Sequence, residues 1–145
     1  MTNLTLYHNG PSTCSQKVRL ILGLKGLEYE SKLIDLIQGE QHDPEYAKLN
    51  PNHVVPTLVT SDSVLIESSL IIEYLEDAYP EISAKPKDPE QIHQMRLWIK
   101  NADTFHQFGG LITYGIAVRN LILAKSPEER DCLLYTSPSP RDTIR

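Results

Sequence analysis

The chain has 145 residues, a formal net charge of −5, 40% hydrophobic residues and two cysteines. So few cysteines argue against a disulfide scaffold, and an acidic chain without a basic patch argues against nucleic-acid binding. No stretch has the character of a signal peptide or a membrane span, and no set of His, Cys, Asp and Glu has metal-ligand spacing. We therefore expect a soluble, cytoplasmic protein without a metal and with neither a membrane nor a nucleic-acid partner.

The first elements predict a strand followed by a helix. Residues 4–7 alternate between apolar and polar, residues 9–11 break the pattern, and an amphipathic repeat then continues to about Gly26. This helix begins at Ser12, so Ser12 and Cys14 both lie at its start. The free N–H groups and the positive dipole end of a helix stabilise a nearby thiolate or carboxylate.

The pattern after this helix predicts a compact α/β layer domain. Its remaining elements are a strand at 29–36, a short helix between Asp43 and Asn50, strands at 57–59 and 64–66 joined by a turn at 61–63, and a helix that starts at Glu67 and Ser68. Pro56 stands in an extended run, where proline fits best at a bend or strand start, sometimes with a cis bond. Ser68 is predicted to be the N-cap or a first-turn residue of the last helix.

Three segments resemble one family when they are taken in order. They are Ser12-Thr13-Cys14-Ser15-Gln16-Lys17-Val18-Arg19, the run from Asn50 to Leu58, and the run from Ile66 to Leu75. Together they resemble the thioredoxin-like N-terminal domain of soluble glutathione transferases. The resemblance is strong over residues 1–80 and weaker to Ala124. The Ser-Thr-Cys-Ser start and the Arg96-Leu97-Trp98 stretch are most similar to bacterial-type members that include glutathione-dependent etherases and reductive dehalogenases.

The resemblance implies a set of glutathione contacts. Ser12 matches the serine that hydrogen-bonds the glutathione sulfur and favours its thiolate. Pro56 matches the family's cis-proline, and Val55 the residue whose backbone pairs with the cysteinyl part of glutathione. Glu67 and Ser68 match the pair that holds the γ-glutamyl end.

The same resemblance assigns a further group to the glycine carboxylate of glutathione. His53 occupies a position that contacts this carboxylate in several classes, and Gln41 and His42 do so less surely. Loop solvation is the alternative interpretation for both histidines. The other histidines, His8, His93 and His106, are expected to be surface or packing residues.

Cys14 leaves the reaction open. Some bacterial classes have a cysteine here that forms a mixed disulfide with glutathione, whereas others use a nearby serine as the activating donor. We expect a glutathione transferase, homodimeric when full length, that uses Ser12 to activate glutathione against a small hydrophobic electrophile. The alternatives are a thiol oxidoreductase or reductive dehalogenase that uses Cys14, and a non-catalytic interaction module of the same fold.

The composition of the sequence changes after Pro80. Residues 81–88 are polar and read as a linker, and Asp88-Pro89 then starts a long helix that continues to Leu123, with a bend or interruption at Gly109-Gly110. It resembles the start of the all-helical second domain of glutathione transferases, which supplies most of the hydrophobic substrate pocket. Four aromatic residues are candidates for that pocket, although core packing is the favoured interpretation: Trp98, Phe105, Phe108 and Tyr114. A solvated charge is favoured for Asp103 over a role in the glutathione site.

Two signals near the end of the sequence predict different structures. Ser126-Pro127-Glu128-Glu129 is a capping box that predicts another helix, but two prolines and an aperiodic stretch follow at once. Residues 132–142 resemble the conceptual translation of a sequencing adapter, so we interpret 131–145, with Cys132, as a non-native tail. A genuine disordered terminus or a short recognition segment is the alternative. The second domain, residues 89–130, would then be incomplete, and its exposed apolar face predicts aggregation or loose dimerisation.

Overall fold

The computed structural model describes residues 3–113, 115–116 and 119–130. Four strands are Thr5–His8 (β1), Glu30–Leu33 (β2), Thr57–Val59 (β3) and Val64–Leu65 (β4). Among the described residues, the α-helices of five residues or more are Thr13–Leu24 (α1), Pro44–Leu49 (α2), Ser68–Ala78 (α3), Pro89–Thr113 (α4) and Arg119–Leu123 (α5), and a 3₁₀ turn covers Glu40–His42. The predictions made for Tyr114 and for the tail 131–145 lie outside the described residues.

The strands form one mixed sheet in the order β2-β1-β3-β4. β1 is parallel to β2 and antiparallel to β3, and β4 forms a hairpin with β3. In the register of β1 and β3, Tyr7 stands opposite Thr57. The C-terminal end of β1 and the N-terminal end of β3 therefore meet at the same edge of the sheet.

The core lies between this sheet and the helices α1 and α3. Its centre consists of residues with no solvent exposure, among them Leu6, Leu22, Leu58, Ile71 and Leu75. The apolar residues of α1 recur at the helical spacing and those of β1 alternate, which is why each element buries one face. The predicted α/β layer is confirmed.

A buried ion pair that the sequence did not reveal joins α1 to α3. Lys25, the C-cap residue of α1, has its Nζ 3.0 Å from Glu76 Oε1, and the two side chains are 1% and 6% exposed. Lys25 also donates to two carbonyl oxygens, those of Tyr79 and Ile82, and Glu76 accepts from Ser83 Oγ at 2.7 Å. The polar stretch after α3 is therefore tied to the packed region by hydrogen bonds.

The helical region beyond Pro89 differs from the expectation at its glycine pair. α4 runs without interruption through Gly109 and Gly110 to Thr113, so an interruption at the glycine pair is wrong, and a bend there stays a prediction. Glycine weakens a helix by about 1 kcal/mol but keeps the backbone hydrogen bonds.

The capping box is confirmed, because Ser126 N–H donates to Glu129 Oε2 at 3.0 Å and Glu129 N–H to Ser126 Oγ at 3.3 Å.

The aromatic residues of α4 are not core residues. Trp98 is 73% exposed, Phe105 71% and Phe108 60%, so the interpretation that favoured core packing is wrong. Ile112, 62% exposed, continues the same kind of surface. The predicted exposure of an apolar helix face is thus confirmed. Within the described part of the chain, no helix has the length and apolar character needed to cross a membrane.

Candidate functional site

Two helix starts carry most of the candidate polar side chains. Ser12 is the N-cap of α1, where its Oγ accepts from Ser15 N–H at 3.2 Å, and Cys14 follows in the first turn as a half-buried thiol. A serine hydroxyl that accepts one hydrogen bond can still donate another. Ser68, which is buried, is the first residue of α3, and Glu67 precedes it without a side-chain cap.

These two helix starts lie side by side. Lys17 on α1 donates from Nζ to Ser69 Oγ on α3 at 2.7 Å, and Lys17 stands about one turn after Cys14. α1 and α3 are 12 and 11 residues long, so each has a complete N-terminal turn whose first N–H groups have no backbone partner within the helix. Two positive helix ends therefore converge on one place, which favours an anion there.

Asp103 of α4 completes this contact. Its Oδ1 lies 3.0 Å from Lys17 Nζ and accepts from Ser69 Oγ at 2.7 Å. Burial would raise the pKa of Asp103, but the hydrogen bonds of Ser69 and Lys17 outweigh it and lower the pKa. Asp103 is thus a half-exposed charge whose carboxylate also binds both helices of the site, which favours the role in the site that the sequence interpretation ranked second.

The sheet edge supplies the second part of the candidate site. The peptide bond between Val55 and Pro56 is cis, as the resemblance implied, and both residues are buried just before β3. Because Thr57 pairs with Tyr7, this bend lies at the edge where β1 ends and the chain turns toward Ser12. The bend and the start of α1 are therefore at the same edge of the sheet.

Two candidate residues have an unusual backbone conformation. His53 has φ of 54° and Glu67 has φ of 66°, in the left-handed region that non-glycine residues seldom occupy. The flanking backbone is held by hydrogen bonds: His53 N–H donates to Asn50 O at 3.0 Å, and Ile71 N–H to Glu67 O at 2.9 Å. Such conformations concentrate at functional sites, where surrounding structure maintains them.

The three residues predicted near the glycine carboxylate form a cluster. The rings of His42 and His53 have their centroids 5.1 Å apart, Gln41 Nε2 donates to His42 Nε2 at 3.1 Å, and His53 Nδ1 donates to Gln41 O at 3.1 Å. Burial, and then the charge of His53, lower the pKa of His42, which favours its neutral form. With Nδ1 bonded to a carbonyl, a protonated His53 would present its Nε2–H to an anion.

One contact of the site was missed by the sequence interpretation. His106 of α4, expected at the surface or in packing, has its Nδ1 3.8 Å from Cys14 Sγ. Nothing in the sequence indicates which face of α4 meets α1, so the pair was not foreseeable. The packing role expected for His8 is confirmed, since it is buried with Nε2 2.7 Å from Ser31 Oγ, and His93 is exposed as expected.

Comparisons with known proteins agree with this arrangement. The sequence profile of the glutathione S-transferase N-terminal domain matches residues 11–78. The zeta-class glutathione S-transferase of Euphorbia esula is 46% identical over 85 residues, 59% of this chain and 38% of that protein. Protein LigF of Sphingobium sp. strain SYK-6 is 41% identical over 104 residues, 70% of this chain and 40% of LigF.

Over residues 11–78 the chain is therefore similar to the N-terminal domain of glutathione S-transferases.

Solved structures of the family have the same fold. The crystal structure of beta-etherase LigF matches with a TM-score of 0.86 at 34% identity, over 98% of this chain and 60% of that chain. Glutathione transferase URE2P6 from Phanerochaete chrysosporium, in complex with oxidized glutathione, matches with a TM-score of 0.67 at 28% identity, over 93% of this chain and 63% of that chain. The fold is thus a thioredoxin-like N-terminal domain followed by part of a helical one. The chain spans about two fifths of the length of these curated relatives.

Proposed function

We propose that this chain carries the glutathione-binding part of a glutathione transferase and that Ser12 activates the thiol of glutathione. The observation that carries the proposal is the convergence of two helix starts at one sheet edge. Ser12 and Ser68 begin the two helices, and Lys17 joins those helices through Ser69. A tripeptide with a thiol and two carboxylates needs several anion-stabilising groups in one place, and this edge supplies them.

Ser12 is the proposed thiolate donor. Its Oγ is fixed by the Ser15 N–H, so the hydroxyl hydrogen is oriented away from that bond. A hydrogen bond to sulfur stabilises the charged thiolate over the neutral thiol, and the N-terminal dipole of α1 adds to this effect. Glutathione bound with its sulfur at Ser12 is then a nucleophile near neutral pH.

The remaining contacts are proposed to hold the ends of glutathione. Ser68, by its hydroxyl and the N–H groups of the first turn of α3, suits the γ-glutamyl carboxylate, with Glu67 near the ammonium. The backbone of Val55, two residues before the first residue of β3, suits the cysteinyl amide. His53, with its neighbours Gln41 and His42, suits the glycine carboxylate.

The proposed reaction is attack of the glutathione sulfur on a small hydrophobic electrophile. The new bond joins sulfur to carbon, and an aryl oxide or halide departs with the bonding electron pair. LigF is described as a beta-etherase, which favours ether displacement as the substrate class to try first. The homodimer and the cytoplasmic location stay predictions.

The test compares Ser12→Ala with Cys14→Ser, using a β-aryl ether and an aryl halide as substrates. We expect Ser12→Ala to lower the rate at pH 7 by about 100-fold, the loss found when one donor to a developing anion is removed. Cys14→Ser should leave the rate within about twofold of the parent. The matched control is Ser61→Ala, since Ser61 lies in an exposed hairpin turn. Loss of activity in Cys14→Ser with retention in Ser12→Ala would refute the assignment.

Thiol exchange at Cys14 is the second candidate function. It is favoured by the His106 ring, whose Nδ1 lies 3.8 Å from the Cys14 sulfur. Disulfide reduction that requires Cys14 but not Ser12 would distinguish it from transfer.

A further inference from the structure

Arg19 follows the site residues of α1 but has no part in the transferase proposal. It is half-buried in the second turn of the helix, seven residues after Ser12. Its guanidinium donates from Nη1 to Asn9 O at 3.0 Å and from Nη2 to Gly10 O at 2.9 Å. These carbonyls belong to the loop that joins β1 to α1, and the loop leads directly into Ser12. A side chain of the helix therefore holds the backbone that precedes Ser12.

The same guanidinium has a third acceptor at the end of β1. Nη1 of Arg19 lies 3.0 Å from His8 Nδ1. Since an arginine only donates, this ring nitrogen carries no proton, and His8 Nε2 donates to Ser31 Oγ at 2.7 Å. Burial, and then the charge of Arg19, lower the pKa of His8, which keeps the ring neutral and able to accept. One rigid planar group thus bonds three consecutive residues, 8–10.

Two more side chains of α1 hold this loop. Gln16 Nε2 donates to the carbonyl oxygen of Pro11, the residue before Ser12, at 3.4 Å. Ser15, which has no solvent exposure, accepts at Oγ from Asn9 N–H at 3.3 Å. Its own N–H donates to Ser12 Oγ at 3.2 Å. The whole approach to α1 is therefore held by side chains of the helix itself.

We propose that Arg19 is a positioning residue, whose guanidinium fixes this loop so that the Ser12 hydroxyl stays within hydrogen-bond reach of the glutathione sulfur. The inference rests on the proposed role of Ser12 as the thiolate donor. A hydrogen bond depends steeply on distance and angle, and a misplacement of about 1 Å can cost about 100-fold in rate. Arg19 makes the shortest side-chain contacts with the loop, at 2.9 to 3.0 Å, so its loss should displace Ser12 the most.

Arg19→Lys is the variant that separates geometry from charge. Lysine keeps the positive charge, so any general electrostatic support of the thiolate is retained. Its single ammonium nitrogen cannot replace two guanidinium nitrogens that donate to three acceptors, so the fork is lost. The ends of glutathione are assigned to other parts of the site, at His53 and Ser68. Binding should therefore be changed less than ionisation of the thiol.

The test is the ultraviolet absorbance of the glutathione thiolate, measured at neutral pH with the full chain saturated with glutathione. We expect the parent to show the thiolate band and Arg19→Lys to retain less than about a fifth of it, with glutathione affinity falling less than about fivefold. Calorimetry measures the affinity. Arg96→Lys, at an arginine of α4 that is 55% exposed, is the matched control and should equal the parent in both measurements.

Equal thiolate bands in the parent and Arg19→Lys would overturn the proposal, because Ser12 would then not depend on the fork. A loss of affinity above about tenfold would also overturn it, since that result indicates a general disturbance of the site. A parent chain without a thiolate band refutes the role of Ser12 itself, and this inference with it. Failure of the transferase proposal is thus distinguishable from failure of the role of Arg19.

A measurement on the parent chain applies if circular dichroism shows that Arg19→Lys does not fold. NMR of the arginine side chains then compares the rotation of the Arg19 guanidinium with that of Arg96. Slower rotation of Arg19 supports the fork, because three bonds to the loop must break before the group can turn. Equal rotation of the two groups would overturn the proposal.

Discussion

The packed region from β1 to α3 and the helical region from α4 onward differ in how far their apolar side chains are buried. In the first, α1 and α3 bury residues with no exposed surface, such as Leu22 and Ile71. In the second, large apolar side chains such as Phe105 and Ile112 are more than 60% exposed. Both regions contain regular amphipathic helices, so the difference in exposure lies in the elements available for packing and not in helix formation.

This contrast separates helix formation from core formation. α4 extends over 25 residues because its capping signal and composition favour a helix, and it does so without a second layer on its apolar side among the described residues. α1 and α3, by contrast, are placed by the sheet and by the Lys25–Glu76 pair between them. The experiments below therefore compare substitutions in pairs, one at a buried position and one at an exposed position.

The largest effect is expected at Glu76. In Glu76→Gln the Lys25 ammonium, 1% exposed, keeps its two carbonyl acceptors but loses its counter-charge, which typically costs about 3 to 5 kcal/mol in a buried pair. The control is Glu73→Gln, whose partner Arg96 is 55% exposed and 3.6 Å away, with an expected cost below about 1 kcal/mol. Urea unfolding measures both free energies. Equal losses in the two variants would show that the buried pair contributes no more to the free energy of unfolding than the exposed pair.

The same pair predicts a dependence on pH. Burial alone would raise the pKa of Glu76, but hydrogen bonds from Ser83, Lys25 and Ala84 outweigh it and lower the pKa below 4.5. The charged form therefore stabilises the folded chain above pH 4.5, and this contribution is lost as the pH falls through the folded-state pKa. The parent chain should lose stability over that interval, and Glu76→Gln should lack this part of the loss.

The second comparison uses isoleucine in both regions. Ile71→Ala on α3 removes a side chain with no exposure and leaves a cavity, with an expected loss of about 2 to 5 kcal/mol. Ile112→Ala on α4 removes one that is 62% exposed, with an expected change of about 0.5 kcal/mol or less. Differential scanning calorimetry of the two variants measures the difference. Similar losses would mean that the apolar face of α4 is covered in solution by another copy.

The sequence predicted the packed region well because its signals are local. The alternation in β1, the cap at Ser12 and the turn at 61–63 each depend on neighbouring residues, and all three recur in the structure. β2 extends over four residues, shorter than the predicted 29–36, since tertiary pairing decides where a strand ends. The buried pair Lys25–Glu76 was invisible because its members are 51 residues apart.

Part of the candidate site was also predictable, because its motifs are local signals in the sequence. Ser12, Pro56 and Ser68 sit in motifs whose order identifies the family, so their positions followed from the sequence. Asp103 and His106 lie on a helix whose repeat is amphipathic, but no local signal states which face meets α1. Residues that act across two regions are therefore the ones that sequence patterns miss.

The smallest effect is expected where the two regions touch. Asp103→Asn removes the charge that binds Lys17, and its stability cost should stay below about 1 kcal/mol because the carboxylate is 46% exposed. Ser69 loses a strong acceptor beside Ser68, so glutathione affinity measured by calorimetry should fall about fivefold, the equivalent of about 1 kcal/mol. Asp77→Asn, whose Lys85 partner is 3.5 Å away, is the control and should bind glutathione like the parent. If Asp103→Asn binds glutathione as tightly as the parent, the contact of α4 with Lys17 and Ser69 does not contribute to binding. The packed region then binds glutathione without help from α4.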